Sequence, residues 1–382
     1  MAPTSGPLAG IRIVEMTGIG PVPYAAMLLA DMGADIIRID RPGGYPAIDP
    51  TLDFASMEAA SVFYRSRPLV QIDLKSDNGR QVMHDLIGKA DALIEGYRPG
   101  AMEKLGLGPE PCLALNPKLA FVRVTGWGRD GPLAQRAGHD LNYIAKSGAL
   151  SLFGRGGQQP VGIPPLVGDM ASGSMFAVMG LLAAVLHARA TGQGQVVDAN
   201  IVDGSASLYT LLSALSAMGM HNAPAGANAL DGGRHYYRTY TCADGRAVAV
   251  GAIEPAFRKV LLDRLGLLEN PLFTSGVTED DDACTLELKK IFATESSNHW
   301  DQLFRDTDGC VTAVLTPQEA ADDPHNAARQ TFVQVDGVLQ AAPAPRFSAT
   351  PGKISKTPRD ASRPDAEALR AWGISAQKLS ES

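Results

Sequence analysis

Two short stretches contain the side chains best suited to moving protons. AGHDLNY (137–143) places His139 directly after a glycine, and LVGDMASGS (166–174) places Asp169 near the predicted start of a long apolar helix. A neutral imidazole and a carboxylate exchange protons readily near neutral pH. We therefore predict that these two side chains face each other across a substrate carbon.

The composition of the chain limits the classes of protein to which it can belong. The 382 residues are 45% apolar and 20% charged, as in ordinary globular enzymes, and are enough for two domains with separate cores. The net charge of −7 argues against nucleic acid as a partner, because nucleic-acid-binding domains are normally basic. An anionic small molecule remains compatible with this charge if Arg and Lys residues cluster locally.

The cysteine residues and the terminal sequences indicate the cellular compartment. Cys112, Cys242, Cys284 and Cys310 are scattered and away from zinc-ligand spacing, which predicts no metal site and suits a reducing compartment. The N-terminal sequence lacks a signal-peptide pattern, and the terminal SES is not an SKL-type peroxisomal address. Apolar runs are interrupted by polar residues, so we expect no membrane partner, no membrane span and a cytoplasmic enzyme.

Patterns of strand and helix alternate through the N-terminal third and predict a doubly wound (Rossmann-like) α/β sheet. Strands are expected at 11–15 and 34–40, within 64–75, from 91 and from 118, with helices at 24–32 and 76–90. Ser76 is the predicted cap of the second helix. A nicotinamide site is an alternative, because Gly18, Gly20 and Asp40 fit its spacing, but Pro23 replaces a required glycine.

The middle of the chain is apolar and then changes character. Residues 172–190 predict a helix buried on all sides, and 205–220 a second apolar helix. Residues 221–233 form a candidate hinge, and 234–255 predict a β-hairpin. The four methionines in this region have two interpretations, as core filler or as an adaptable apolar surface for acyl chains; they are Met175, Met179, Met218 and Met220.

Ten motifs, spread over nearly the whole chain, resemble the α-methylacyl-CoA racemases of the family III CoA-transferase superfamily. The most specific are AGHDLNY, the following GD at 168–169 and GAIEP at 251–255, in that order and spacing. Others include GIGPVPYAAMLLADMGADIIRIDRP, IDLKSDNG, IEGYRPG and TGWGRDGP.

The resemblance implies an architecture that the residue patterns do not provide. A large domain would be built from both ends of the chain, with a smaller α+β domain between them, and two subunits would interlock as a homodimer. The implied segments are 1–199 (large domain), 200–230 (linker helix), 231–313 (small domain), 314–342 (return linker) and 343–382 (C-terminal completion of the large domain).

The resemblance also implies catalytic roles. His139 and Asp169 would exchange the α-proton of an acyl-CoA thioester on opposite faces, and Glu254 would pair with His139. The intermediate would be an enolate, and N–H groups at the start of the Asp169 helix are expected to stabilise its oxygen. The resemblance implies that no metal or redox cofactor is required and that coenzyme A is part of the substrate.

Positions matching the family's coenzyme A site are carried over residue by residue. They are Arg41, Ile72, Asp73, Leu74, Lys75, Gly96, Tyr97, Arg98, Lys104, Gly138, Asp140, Leu141, Asn142 and Tyr143. Six positions depart from the family pattern, namely Ser66, Pro68, Ala229, Arg234, His235 and Ala313.

Each assignment has a structural alternative. His139 could belong to an ordinary loop, Asp169 could be only a helix cap, and Glu254 could be a solvated turn residue. Arg65 and Arg67 could be solvated surface charge.

The favoured function is epimerisation of 2-methylacyl-CoA. The alternatives are a CoA-transferase with Asp169 as nucleophile, an acyl-CoA-binding protein and a nicotinamide dehydrogenase.

Overall fold

The computed structural model describes residues 5–44, 61–156, 158–274 and 281–376. The chain forms two compact units. The first comprises Met1–Ser147, Ile163–Leu208 and Ala328–Ser382, and the second comprises Gly148–Gly162 and Tyr209–Ala327. The five segments expected from the sequence remain a prediction; the contact-based division differs in placing 148–162 with the second unit. For residues 43–62 the sequence predicts a loop and a short helical patch, and this segment lies mostly outside the described residues.

The first unit contains a six-stranded parallel sheet, as predicted. Its strand order is β3-β2-β1-β4-β5-β6, so the direction of winding reverses between β1 and β4. The strands are β1 (Arg12–Met16), β2 (Asp35–Asp40), β3 (Leu69–Gln71), β4 (Ala92–Glu95), β5 (Ala120–Thr125) and β6 (Gln195–Asn200). Ligands in such sheets bind where the strand order reverses, at the carboxyl ends of the strands.

Helices cover both faces of this sheet. On one face, Val82 and Leu86 of α2 pack against Val14 and Ile37, and Ser76 caps α2 as predicted. On the other face, Leu29 of α1 and Leu181 of α6 pack against Ile13 and Ile36. Because successive residues of a strand point to opposite faces, this alternation builds two cores. The α- and π-helices of the first unit are α1 (Pro21–Asp31), α2 (Asp77–Ile87), α3 (Ala101–Lys104), α4 (Pro109–Leu115), α5 (Asp140–Ser147), a π-helix (Leu166–Ser174), α6 (Met175–Thr191) and α7 (Ile201–Leu208), with α15 and α16 given below.

The prediction that residues 172–190 are buried on all sides is wrong. In α6, Ala177, Leu181 and Ala184 are buried against the sheet, while Met175, Met179 and Leu186 are 51%, 60% and 69% exposed. The continuous helix Leu166–Thr191 meets the length and composition of a membrane span, with 39% of its most apolar window buried. One such helix is weak evidence for a membrane, because core helices of soluble proteins also meet these criteria.

The segment 201–217 also differs from expectation. β6 leads directly into the helix α7, and the predicted helix 205–220 is divided between α7 and α8 (Thr210–Ala217). The C-terminal part of the first unit adds an antiparallel hairpin that the sequence did not predict. The elements of this C-terminal part are β10 (Phe332–Val335), β11 (Val338–Ala341), α15 (Pro358–Ala361) and α16 (Glu367–Ala371). The helix before them, α14 (Pro324–Ala328), lies at the end of the second unit.

The second unit has a three-stranded antiparallel sheet whose first two strands form the predicted hairpin. Its core joins Val248 and Val250 to Leu288 and Phe292 of the neighbouring helix. The departure at His235 is accommodated by a hydrogen bond of 2.8 Å between its Nδ1 and Asp281 Oδ1. The elements after α8 are β7 (Tyr237–Thr241), β8 (Ala247–Gly251), α9 (Pro255–Arg264), α10 (Pro271–Thr274), α11 (Asp281–Phe292), α12 (Ser297–Phe304), β9 (Val311–Ala313) and α13 (Pro317–Asp322).

Two buried ion pairs stabilise the region beside β1 and β3. Arg67 Nε lies 2.6 Å from Glu15 Oε2 with both side chains 0% exposed, and Arg65 lies 2.6 Å from Asp31. The interpretation of Arg65 and Arg67 as solvated surface charge is therefore wrong. Arg67 also donates to the carbonyl oxygens of Pro23 and Phe63, so its guanidinium joins three chain segments.

Replacing Arg67 by methionine should destabilise the protein strongly, because it leaves the Glu15 carboxylate buried without a partner. We expect a loss of roughly 3–5 kcal/mol in the free energy of unfolding, measured by urea denaturation. Arg370→Met is the matched control, since Arg370 pairs with Glu367 on the exposed surface and should cost at most about 1 kcal/mol. Equal effects of the two substitutions would contradict a structural role for the buried pair.

Candidate active site

A cavity of about 310 Å³ opens at the carboxyl edge of the parallel sheet, in the first unit. Its walls are the segments that follow β1, β4 and β5, together with the start of α5 and one turn of the π-helix. Because the strand order reverses between β1 and β4, the segments after these strands separate and leave this space. Arg98, in the segment that follows β4 at this edge, lines the cavity.

His139 and Asp169 both line this cavity, as the pairing predicted from their types requires. His139 is exposed and precedes α5, and its backbone N–H donates to Asn142 Oδ1 at 3.1 Å. Asp169 is half-buried in the π-helix. A Cβ atom on Gly20 would lie 3.0 Å from Asp169 Oδ2, so the glycine that precedes α1 makes room for the carboxylate.

The environment of Asp169 raises the pKa of its carboxyl to about 6. Burial is the main cause, because it disfavours the charged form, and the nearby negative charge of Asp140 adds to it. The His139 ring opposes both effects. A carboxyl group with a pKa in this range can both accept and return a proton near neutral pH.

The start of the π-helix is not free to bind an oxyanion, which contradicts the sequence expectation. The Asp169 N–H donates to Asp140 Oδ2 at 2.6 Å, and the Gly168 N–H donates to the same carboxylate. The Met170 N–H donates to the Pro165 carbonyl at 3.2 Å. The first backbone N–H groups of a helix have no partner within the helix, which is why the sequence predicted free donors here. The partner is Asp140, about thirty residues earlier in the chain, and no local sequence pattern indicates that contact.

Two glycines enclose the ring of Tyr143 at the cavity wall. A Cβ atom on Gly126 would lie 2.0 Å from that ring, and one on Gly138 would lie 2.8 Å from both Tyr143 and Trp127. The Tyr143 and Trp127 rings meet edge to face with centroids 4.7 Å apart, and the Tyr143 hydroxyl donates to the Gly138 carbonyl. The glycines of TGWG and AGHD thus permit the aromatic contact that positions the loop before His139.

The structure brings together only part of the predicted coenzyme A set. Gly96, Tyr97, Arg98, Gly138, Asp140 and Tyr143 line the cavity with His139 and Asp169. Arg41, Asp73, Lys75 and Lys104 are exposed elsewhere in the first unit, and Ile72 is completely buried in the core. Leu74 is partly buried, while Leu141 and Asn142 are exposed on α5 outside the cavity wall.

A buried charge network supports the segment after β4. Arg123 Nε donates to Glu95 Oε1 at 2.7 Å, and Glu95 Oε2 accepts the Tyr97 N–H at 2.6 Å. Arg123 also pairs with Glu103 at 2.7 Å, and this contact lowers the pKa of the Glu103 carboxyl to about 2. Sequence reasoning missed these residues; the available signal was a single charge within each of two otherwise apolar strands, ALIE and AFVRV.

Glu254 belongs to the second unit, where it is exposed at the start of α9. Its pairing with His139 stays a prediction. Met218 and Met220 of this unit are 70% and 64% exposed, so they are not core filler within the chain. Among the described residues, no group of three or more His, Cys, Asp or Glu side chains has the arrangement of a metal site.

Comparison with known proteins identifies the family. The model of CoA-transferase family III matches residues 8–365. The chain is 38% identical over 376 residues to the α-methylacyl-CoA racemase of Mus musculus, covering 97% of this chain and 95% of that protein. It is 39% identical over 345 residues to the α-methylacyl-CoA racemase of Homo sapiens, covering 90% and 87% respectively.

The fold agrees with that assignment. The crystal structure of a CAIB/BAIF family protein from Brucella suis superposes with a TM-score of 0.79 at 24% identity, covering 96% of this chain and 99% of that one. The chain therefore belongs to CoA-transferase family III.

Gly126→Ala should displace the Tyr143 ring, because the new methyl group would overlap it. We expect a loss of roughly 1–3 kcal/mol from overpacking, seen as a lower melting temperature, together with a changed near-ultraviolet circular dichroism signal from the Trp127 contact. Gly18→Ala is the control, because the nearest atom to a methyl group added there is 3.9 Å away. Identical melting temperatures and spectra for the two variants would show that the glycine at 126 does not shape the wall.

Proposed function

We propose that the protein is a racemase that interconverts the (2R) and (2S) epimers of 2-methylacyl-CoA thioesters. The main support is the convergence of His139 and Asp169 on one cavity at the carboxyl edge of the sheet. The identity of 38–39% to two α-methylacyl-CoA racemases over most of the chain supports the same activity.

The proposed reaction is a 1,1-proton transfer through an enolate. One of the two side chains removes the proton from C2, and the C2–H electron pair becomes the enolate π-bond as the thioester oxygen gains charge. The conjugate acid of the other side chain then donates its proton to the opposite face of C2. In one direction Asp169 is the base, and in the reverse direction it is the acid, which suits a carboxyl pKa of about 6.

The enolate oxygen needs a donor other than the start of the π-helix, which Asp140 occupies. The second helix that begins at the cavity is α5. In its first turn, the Asn142 and Tyr143 N–H groups donate to the His139 carbonyl. We therefore assign the oxyanion to the first-turn amide of Asp140, the residue of this turn that lines the cavity beside His139, with the favourable end of the α5 dipole behind it.

Coenzyme A is proposed to bind along the positive and polar groups that extend from this cavity. Arg98 and Arg136 line the cavity itself and can meet phosphate oxygens despite the acidic net charge, because distant repulsion is screened beyond about 8–10 Å. Arg41, Lys75 and Lys104, exposed in the same unit, are assigned to more distant parts of the coenzyme.

The exposed apolar face of α6 supports the proposal of a homodimer. Met175, Met179 and Leu186 are each more than half exposed in the single chain, which is unusual for large apolar side chains on one helix. We propose that a second subunit covers part of this face in an interlocked dimer. The exposed methionines could then serve the acyl chain as well, since methionine adapts to varied apolar shapes.

A CoA-transferase is the second candidate, favoured by the family to which the chain belongs. Here Asp169 would be a nucleophile that forms an acyl-enzyme anhydride with release of the CoA thiolate. Such a reaction leaves His139 without a proton-transfer role.

Deuterium incorporation distinguishes the two candidates. When a single 2-methylacyl-CoA epimer is incubated with the enzyme in deuterium oxide, racemisation should place deuterium at C2 and erase the optical purity, as followed by mass spectrometry and chiral chromatography. If C2 keeps its proton while CoA moves to an added carboxylate, the transferase is correct and the racemase proposal fails.

His139→Ala should affect proton exchange on the two faces of C2 unequally. We expect epimerisation to fall by about 10²–10⁴-fold, while the epimer whose proton Asp169 removes still exchanges deuterium without inversion. His325→Ala, which removes an exposed histidine of α14, is the control and should leave both exchange rates unchanged. Wild-type exchange of both epimers in His139→Ala would exclude His139 from the mechanism.

A further inference from the structure

The Asp140 carboxylate is buried beneath the candidate proton-transfer group Asp169. Asp140 is 8% exposed, and its Oδ2 atom accepts hydrogen bonds from the Asp169 and Gly168 N–H groups. A Cβ atom on Gly168 would lie only 2.2 Å from Asp140 Oδ2. Glycine at 168 is therefore needed for the backbone to approach the carboxylate this closely.

The segment held by Asp140 is a nine-residue π-helix, a rare form that recurs at functional sites. The Asp169 carbonyl is fixed as well as its N–H, because Ser174 Oγ donates to it at 2.9 Å and is completely buried. Both backbone polar groups of Asp169 are thus bound by buried side chains. Only the carboxylate is left to face the cavity and Gly20.

Capping alone does not require a charged residue at 140. Asparagine caps helix starts as well as aspartate does and would place one acceptor oxygen in the same position. The Asp140 Oδ1 atom is buried and has no hydrogen-bond partner among the described residues, so the second carboxylate oxygen makes no compensating contact there. A buried carboxylate beside a second carboxylate is unfavourable. The negative charge therefore needs a further explanation.

We propose that Asp140 is a positioning residue for proton transfer by Asp169. Its carboxylate fixes the backbone of Asp169 against Gly20, and its negative charge increases the proton affinity of the neighbouring carboxyl. This inference rests on the proposed racemase function.

The electrostatics of the site agree with a positioning role for Asp140 and a proton-transfer role for Asp169. Burial raises the pKa of the Asp140 carboxyl, and the N–H bonds from Asp169 and Gly168 oppose that rise by favouring its ionised form. The charge of ionised Asp140 then adds to the effect of burial, and together they raise the pKa of Asp169 to about 6. Asp140, His139 and Tyr143 face Asp169 from α5 and the residue before it. Uncharged residues of α1 and α7 contact the π-helix, namely Pro21, Ile201, Gly204 and Ser205. The charged residues of α7, β5 and β6, which also pack on it, are held in other contacts: Asp203 with Asn200, Arg123 with Glu95, and Asp198 with the Arg129 N–H. Arg98 and Arg136 line the rest of the cavity.

The test compares Asp140→Asn with wild type and with Asp130→Asn, a control that removes an exposed charge outside the cavity. The first readout is the titration of the Asp169 carboxyl in full-length protein labelled with ¹³C-aspartate, assigned through Asp169→Asn. In Asp140→Asn the midpoint should move to lower pH, whereas Asp130→Asn should leave it unchanged. An unmoved midpoint in Asp140→Asn overturns the proposal.

The second readout is deuterium exchange at C2 as a function of pH. With Asp169 as base, the rate should fall as pH drops through the Asp169 pKa, and this limb should shift to lower pH in Asp140→Asn. Asp140→Ala, which also loses the backbone contacts, should lower kcat by about 10²-fold with little change in KM. A shifted carboxyl titration with an unchanged exchange rate at every pH would overturn the positioning role. Absence of exchange by the wild type would instead refute the racemase function, and the carboxyl titration would still decide whether Asp140 acts on Asp169.

Discussion

The hydrogen bond from the Asp169 N–H to the Asp140 carboxylate is the contact on which the geometry of the site depends. His139 directly precedes Asp140, so this one bond sets the position of both candidate proton-transfer groups. The two groups come from segments thirty residues apart, and a flexible connection would let them separate. A charge-assisted bond of 2.6 Å, closed to water on the Asp140 side, keeps them at one cavity wall.

The sheet provides the cavity that these groups share. Strand order reverses between β1 and β4, and the two diverging segments that follow them carry Gly20 on one side and Arg98 on the other. Buried ion pairs make these segments rigid: Glu15 of β1 binds Arg67, and Glu95 of β4 binds both Arg123 and the Tyr97 N–H. Breaking such a pair leaves a charge without solvent or partner, so the edge of the sheet resists local opening.

Local patterns were sufficient to predict much of this arrangement and insufficient for the rest. The strands of the parallel sheet, the Ser76 cap and the hairpin from 234 follow from side-chain alternation and turn residues, which are local properties. The burial of Asp140 and the π-helix around Asp169 depend on a contact between distant segments, which no local pattern contains. The exposed face of α6 was missed for a related reason, since an apolar helix has the same composition whether its own chain or a second subunit covers it.

The proposed proton transfer places opposing demands on its two bases, and the environment of Asp169 suits them. Each group must be a base in one direction and an acid in the other, so neither can be much stronger than its partner. A solvated carboxyl is too weak a base to match an imidazole, because its pKa lies near 4. Burial beside Asp140 raises the pKa of Asp169 to about 6 and brings it into the range in which imidazoles titrate. A nucleophilic aspartate would also become more reactive as its basicity rises, but it never has to return a proton to carbon. A pKa of about 6 therefore meets a requirement that proton transfer imposes and acyl transfer does not.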